Sequence, residues 1–513
     1  METRLHLLKP FALKPGRGPV YRQLAGFIET LIRVGLYPPG TRLPAEREAA
    51  GALGVSRTTV AAAYARLCEL GLAATRPGSG TFVAPRDGLA PGGAAAASLP
   101  DLPAPWAEPP PVTLGHLLDI ACDRGVISFA AGTPAPDSMP DGFADLVARV
   151  VSGWLSNGRL VAHTPPEGME DLRAAVAGWI GGSQAAAEEI LITSGSQQAL
   201  DLVARLFVRP GDAVLVERPT YVGAVQLFKA VGAHVVEAHL GSQDGGRLVA
   251  RLRELSPRLI YVVPSFRNPT GQLMGARERE EVLELARALK VPVVEDEAYR
   301  ELWFDEPPPA PLWSLAGPGH EPPVIAVGTV SKVLSPALRL GWVRTRPEVV
   351  GRLARIKQVC DLHTSTLSQA VVLECLQSGL LAGHVEKLRV LYRTRRDAAA
   401  AALADCLPQA RFDLPKGGFY LWCALDGVDT VSLLAAALRH GTAFVPGPSF
   451  YAAGDGREWL RLSYASPPYA AIREGIRRLA AAVAEQRLVP GQSARNHHRP
   501  ARPGKHRGEP VRA

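Results

Sequence analysis

Beyond residue 125, short β-branched runs alternate with longer alanine- and leucine-rich stretches. EILITSG (189–195) leads into SQQALDLVARLF, and DAVLVERP (212–219) leads into YVGAVQLFKAVG. RLIYVVPS (258–265) is followed by the amphipathic REREEVLELARAL (277–289), then by VPVVEDEAY (291–299) and PVIAVGTVSK (323–332). Apolar runs of strand length separated by helical text predict βαβ units around a parallel sheet. The expected fold class is α/β with a mainly parallel sheet. No short internal repeat interrupts the pattern.

The first 83 residues are patterned differently. Within LPAEREAAGALGVSRTTVAAAYARLCELGLAATRPGSGTFV (43–83), Ala45–Leu53 reads as an alanine-rich helix, Gly54 and Val55 as a turn, and Ser56 as the N-cap of a second helix. GLAATRPGSGTFV then reads as a strand, a glycine turn and a strand, which makes a wing. A recognition helix inserts its N-terminal end into DNA, so Arg57, Thr58 and Thr59, with Ser56 beside them, would face base edges and phosphates. Arg47 and Arg76 would hold phosphates and fix position, and Gly78 and Gly80 at the wing turn complete the DNA-contacting set. Helices used for packing alone are the competing reading of such a pattern.

Composition divides the chain further. Proline, glycine and alanine dominate from Ala84 to about Val112. Residues 84–124 are therefore expected to form a semi-extended linker between a DNA-binding domain (1–83) and a large domain (125–486). The basic, proline-rich stretch 487–513 is expected to be a disordered tail. Residues 1–83 hold eleven Lys/Arg against five Asp/Glu, and 487–513 hold seven against one, so the net charge of +8 belongs to the two ends. The long middle is mildly acidic, which points to a polyanion partner for the small domain alone.

Six cysteines (68, 122, 360, 375, 406 and 423) form no CxxC pair, which argues against a zinc site or disulfide framework and suits a reducing compartment. No apolar run reaches about 18 residues, so no membrane span is expected. METRLHLLKP lacks the apolar core of a signal peptide, and cytoplasmic residence is the expectation.

One lysine has unusual company. In GTVSKVLSPALRLGW (328–342), Thr329 and Ser331 lead into Lys332, and Arg339 follows seven positions later. An amine that forms an imine with a phosphate-bearing aldehyde needs such neighbours. Pyridoxal 5'-phosphate (PLP) makes further demands on a protein. Its phosphate needs a helix N-terminus, hydroxyls and a cation; its ring nitrogen needs a carboxylate, its phenolic oxygen donors, and its ring face an aromatic neighbour.

Candidates for each occur in chain order. Gly195, Ser196 and Gln197 lie where a strand enters a helix and can cradle phosphate. Tyr221 can stack on the ring, Asn268 and Tyr299 can donate to the phenolic oxygen, and Asp296 can pair with the ring nitrogen. Lys332 supplies the catalytic amine, with Thr329, Ser331 and Arg339 around the phosphate. Singly, each residue has an ordinary explanation as a cap, a loop or packing. The ordered set carries the specificity.

PAERE, LGVSRTTV and RPGSGTFV resemble the winged helix-turn-helix of GntR-type transcriptional regulators. The set from Gly195 to Arg339, with GGFYLW (417–422) and WLRLSYA (459–465), resembles the class I and II aminotransferase pattern over most of 125–485. That resemblance implies a fold-type-I domain with a smaller C-terminal α+β subdomain. In that family the arginine of the last motif grips the substrate α-carboxylate as a fork, which gives Arg461 the substrate-binding role.

The whole order of the chain resembles the MocR/GabR-type regulators. This implies a head-to-tail homodimer, a double-stranded DNA operator, and an amino acid or amine effector sensed through PLP. His163, in AHTPPEG, stands where many relatives carry a tyrosine that reaches the phosphate across the dimer interface. Asn268 and the spacing of Asp296 and Tyr299 look like those of working aminotransferases, which implies residual transaminase activity. A metabolic aminotransferase with an accessory DNA-binding-like domain, and a sensor that binds PLP without turnover, are the alternatives.

Overall fold

The computed structural model describes residues 18–33, 37, 39–76, 78–84, 125–159, 162–181, 186–240, 252–317 and 319–488, with isolated positions ahead of Gly18. The expected linker past Ala84 and the tail past Leu488 lie outside the described residues.

The N-terminal unit opens with a helix that the motif reading did not single out, α1 (Val20–Arg33). Its Leu24, Ala25, Ile28 and Leu31 recur at helical spacing and are buried. α2 (Glu46–Leu53) stops at Gly54, whose φ of 63° lets its N–H return to the Ala50 carbonyl. Ser56 then caps α3 (Arg57–Glu69), its hydroxyl accepting the Thr59 N–H at 3.1 Å. Val60, Ala63, Tyr64 and Leu67 of α3 join the buried face of α1 in one core. β1 (Ala73–Arg76) and β2 (Gly80–Val83) pair antiparallel, with Arg76 opposite Gly80 and Gly78 at φ 72° in the turn.

Beyond the short β3 (Ile127–Ser128), the large domain builds a seven-stranded sheet. Its strands are β4 (Ile190–Thr193), β5 (Ala213–Glu217), β6 (His234–Ala238), β7 (Leu259–Val262), β8 (Val293–Asp296), β9 (Val324–Thr329) and β10 (Gly341–Arg344). The order is β4-β10-β9-β8-β7-β5-β6. β10 runs antiparallel to β4 and β9, and the other neighbours are parallel. Successive side chains face opposite layers. Val214, Val216, Tyr261 and Ile325 pack with Leu200 and Val203 of α4 (Ser196–Phe207), whereas Leu215, Ile260, Val262 and Val324 pack with Val282, Leu283 and Ala286 of α5 (Ala276–Leu289).

Five of these strands coincide with the apolar runs read from sequence. β6 and β10 do not, because β6 is a half-exposed edge strand and β10 is four residues with no helix-length crossover before it.

The smaller subdomain follows α6 (Leu380–Cys406) and ends in α7 (Tyr469–Leu488), and these two helices pack together. Between them lie β11 (Arg411–Phe412), β12 (Tyr420–Ala424), β13 (Thr442–Ala443), β14 (Val445–Pro446) and β15 (Trp459–Ser463). The antiparallel order is β11-β12-β15-β14, and β13 pairs in parallel with β3. Among the described residues, no helix is long and apolar enough to cross a membrane, and no group of three or more His, Cys, Asp or Glu is placed to hold a metal ion.

Gly328 lies opposite Trp342 in the β9–β10 ladder, and a Cβ there would sit 2.4 Å from the indole. Gly328→Ala is expected to destabilise the domain by about 1–3 kcal/mol through overpacking. Urea unfolding should show a lower midpoint with an unchanged slope.

Candidate functional site

Open parallel sheets present ligand-binding groups at the carboxyl ends of their strands. β8 ends at Asp296, β9 ends at Thr329, and the turn after β9 carries Ser331 and Lys332. Alternation along β8 sends Glu295 to the opposite face, where it accepts the Leu312 and Trp313 N–H groups at 2.5 and 3.1 Å. Asp296 instead lines a cavity of about 350 Å³. Ser196, Gln197, Tyr221, Asn268, Tyr299, Ser331, Lys332, Arg339 and Arg461 line the same cavity. Of the expected cofactor- and substrate-binding residues, Gly195 and Thr329 are not part of that lining, though each adjoins a residue that is.

Each charged side chain in the cavity is tied to a neutral group. Lys332 Nζ donates to the Gly132 carbonyl at 2.7 Å, and burial lowers its pKa below the ordinary lysine value. The neutral amine is the nucleophilic form. Asp296 accepts from the Tyr261 hydroxyl at 2.9 Å and from the Ala298 N–H at 3.3 Å. Burial pushes its carboxyl up to about 6, against the opposing pull of those two hydrogen bonds.

Arg461 donates from its terminal nitrogens to Asn268 Oδ1 at 2.9 Å and to the Ala130 carbonyl at 2.7 Å. Its guanidinium lies 4.2 Å from the Tyr420 ring centre and 5.1 Å from that of Phe450. The Tyr420 and Tyr299 hydroxyls are 2.9 Å apart.

At the other pole the cavity meets the start of α4. Gly195 has φ 92°, and a Cβ there would come within 2.8 Å of the Arg339 guanidinium. Glycine thus lets that cation lie against the first turn of α4, where it donates to the Ser194 and Pro336 carbonyls at 3.2 and 3.4 Å. Thr329 donates to the Leu340 carbonyl at 2.9 Å and accepts the Ser331 N–H at 3.1 Å, which shapes the turn carrying Ser331 and Lys332. Gln197 reaches the Gly223 carbonyl at 3.3 Å and accepts from the Tyr221 hydroxyl at 3.4 Å.

Four further contributors escaped the motif reading: Tyr261, Tyr420, the Gly132 carbonyl and Asp361. Asp361 accepts from Ser194 Oγ, Gln198 Nε2 and Lys357 Nζ at 3.1, 2.6 and 2.7 Å, bracing the junction of β4 and α4. Tyr420 lies inside GGFYLW, but nothing local marks its hydroxyl as a partner of Tyr299. His163 sits outside the cavity wall, its Nδ1 3.0 Å from Nε2 of His363.

On the N-terminal unit, Ser56, Arg57 and Thr58 are exposed at the start of α3, and Arg47 is exposed on α2. The Thr58 and Thr59 hydroxyls each lie 2.8 Å from Ser56 Oγ. Thr59 is half-buried and shares in the cap. Arg57 pairs with Glu46 at 3.1 Å, and both side chains remain accessible to solvent. Arg76 lies over the Phe82 ring at 4.8 Å. A Cβ on Gly80 would meet Arg42 Nε at 2.9 Å, so the wing turn also brings in an exposed arginine that the motif reading passed over.

Residues 125–479 match the family "Aminotransferase class I and II", and residues 20–83 match "Bacterial regulatory proteins, gntR family". A 2-aminoadipate transaminase of Thermus thermophilus is 40% identical over 72% of this chain and 93% of its own. An HTH-type transcriptional regulator of Bacillus subtilis, YdfD, is 31% identical over 91% of this chain and 97% of its own. The probable rhizopine catabolism regulatory protein MocR of Rhizobium meliloti is 31% identical over 90% and 94% respectively. The crystal structure of a Thermus thermophilus α-aminoadipate aminotransferase, complexed with N-(5'-phosphopyridoxyl)-L-leucine, superposes with a TM-score of 0.66 at 40% identity, covering 71% of this chain and 94% of that one.

The chain belongs to the class I and II aminotransferase family, and a gntR-type DNA-binding domain precedes the aminotransferase domain. That combination is the architecture of the MocR-type regulators: a PLP-dependent fold joined to a transcriptional DNA-binding domain.

Tyr261→Phe removes the donor that favours ionised Asp296, so its carboxyl, already raised by burial, should rise further. An acid with a raised pKa is protonated to higher pH. In the cofactor-free protein the Asp296 carboxyl, followed by difference infrared spectroscopy against Asp296→Asn, should therefore titrate at a higher pH than in the parent protein. An unchanged titration would show that Tyr261 does not tune Asp296.

Proposed function

We propose that this protein is a transcriptional regulator that binds PLP at Lys332 and senses an amino acid or amine through the same cavity. The observation that carries the reading is that Lys332, Asp296 and Arg461 open on one cavity, with Arg339 and the start of α4 at its far end.

The donor set suits the cofactor. Ser196, Gln197, Ser331, Arg339 and the α4 N-terminus, opened by Gly195 and held by the Thr329 turn, would take a phosphate. Asp296 would hold the ring nitrogen, and Tyr299 and the Asn268 amide would donate to the phenolic oxygen. Tyr221 would lie on the ring face. Arg461 would grip a carboxylate, with Nε still buried and unpartnered. PLP, when bound, supplies the electron sink for bonds at the amino-acid α-carbon. Lys332 provides the amine that holds it and then carries protons at Nζ.

The completeness of this set favours residual transamination. A metabolic aminotransferase is therefore the second reading. A head-to-tail homodimer, an operator with two half-sites and cytoplasmic residence complete the proposal. The long linker and paired winged helices suit a two-part operator.

Borohydride reduction of PLP-loaded protein followed by peptide mapping should place the pyridoxyl group on Lys332. A label on another lysine overturns the site. For the DNA half, Arg57→Ala should weaken operator binding by about 1–3 kcal/mol while binding to scrambled DNA changes little. Deleting the basic tail 487–513, of which Arg487 and Leu488 close α7, should weaken both DNAs about equally and flatten the salt dependence through the loss of phosphate contacts. Gel shifts at two salt concentrations distinguish the two effects.

A further inference from the structure

The wing is wider than its two strands. Residues just ahead of α2 run along the second edge of β2: the Leu43 N–H donates to the Thr81 carbonyl, and the Val83 N–H to the Thr41 carbonyl, each at 2.8 Å. Arg42 stands opposite Phe82 in this bridge. Side chains alternate across such a sheet, and burial tells its two faces apart. Leu43, Ala73 and Val83 belong to the helical core, so Arg42, Arg76, Gly80 and Phe82 share the outer face.

Two guanidiniums are laid on that outer face. Arg76 stands opposite Gly80 and lies over the Phe82 ring at 4.8 Å. Arg42 lies over Gly80: a Cβ there would meet its Nε at 2.9 Å, its Nη2 at 3.3 Å and its Cζ at 3.5 Å. Three atoms of the group crowd that point, so it rests along the wing rather than projecting from it. Gly80 also has φ 108°, so glycine both shapes the strand and leaves the seat for Arg42. Both arginines are exposed, and among the described residues neither forms an ion pair with a carboxylate. Like charges so close repel each other, and an anion bound between them reverses the sign.

The pair is also tied to the recognition helix. The Tyr64 hydroxyl of α3 donates to the Pro44 carbonyl at 2.8 Å, two residues beyond Arg42. A duplex that takes the exposed start of α3 in its groove therefore meets the wing at a set distance. A guanidinium offers a fork of N–H donors that matches a phosphate, whereas one lying along the backbone lacks the reach to enter a groove.

We propose that Arg42 is a DNA-contacting residue which, beside Arg76, grips the phosphate backbone rather than base edges. The inference rests on DNA binding by the gntR-type unit and is independent of the cofactor.

The test uses the full chain and two duplexes: the region upstream of its own coding sequence, and a scrambled version of equal length and composition. Arg42→Ala should weaken both to a similar degree, by about tenfold at low salt, and lower the slope of log Kd against log salt by about 1. Arg42→Lys keeps the charge and should keep the slope. Unchanged affinity and slope in Arg42→Ala overturn the contact. A loss confined to the upstream duplex, with the slope unchanged, overturns the phosphate assignment. If the parent chain binds neither duplex, the DNA-binding reading fails and this inference with it.

Discussion

A lysine amine, an aspartate carboxyl and a guanidinium share one buried cavity here without pairing with one another. In a medium of low dielectric their attraction is strong, and groups free to move would collapse together. Lys332 is held instead by the Gly132 carbonyl, Asp296 by the Tyr261 hydroxyl and the Ala298 N–H, and Arg461 by Asn268 and the Ala130 carbonyl. Neutral dipoles keep the charges apart and aimed. A ligand then meets groups whose orientation is already set, rather than groups it must first separate. Much of the large domain follows from that requirement, because these dipoles come from separate stretches of the chain, at Ala130 and Gly132, at Tyr261 and Asn268, and at Ala298.

Close approach at one crossing is the second requirement. β10 runs directly beneath the start of α4: a Cβ on Gly341 would lie 2.8 Å from the Ser196 nitrogen and 2.7 Å from the Gly328 carbonyl. Gly195, Gly328 and Gly341 therefore act together. They let a helix N-terminus, a strand end and the Arg339 guanidinium occupy a space that side chains would otherwise fill. The antiparallel β10 is what returns the chain from Arg339 to this crossing.

The parts of this arrangement legible in the sequence are those with a local cause. Largely buried strands read as continuous apolar runs, so β4, β5, β7, β8 and β9 could be placed, and their carboxyl ends pointed to Ser196, Asp296 and Lys332. Ser56 announced its helix because an N-cap is a local hydrogen bond. Thr329 looked like a phosphate ligand by proximity, and only the three-dimensional turn shows its hydroxyl spent on Leu340. Tyr261 reads as one more strand residue in RLIYVVPS. That its hydroxyl meets Asp296 depends on the register of β7 against β8, which no run of residues encodes locally. Tyr420 and Asp361 are of the same kind, since Tyr299 for the one and Ser194 and Gln198 for the other lie more than a hundred residues away.

Arg461 belongs to β15 and Tyr420 to the adjoining β12, both in the small sheet, while Lys332 and Asp296 extend from the large one. The Tyr299–Tyr420 hydroxyl contact is a direct tie between these two layers at the cavity. The cavity is therefore a seam whose walls belong to two separately built sheets, so the amine and the guanidinium meet only when both sheets are complete and docked.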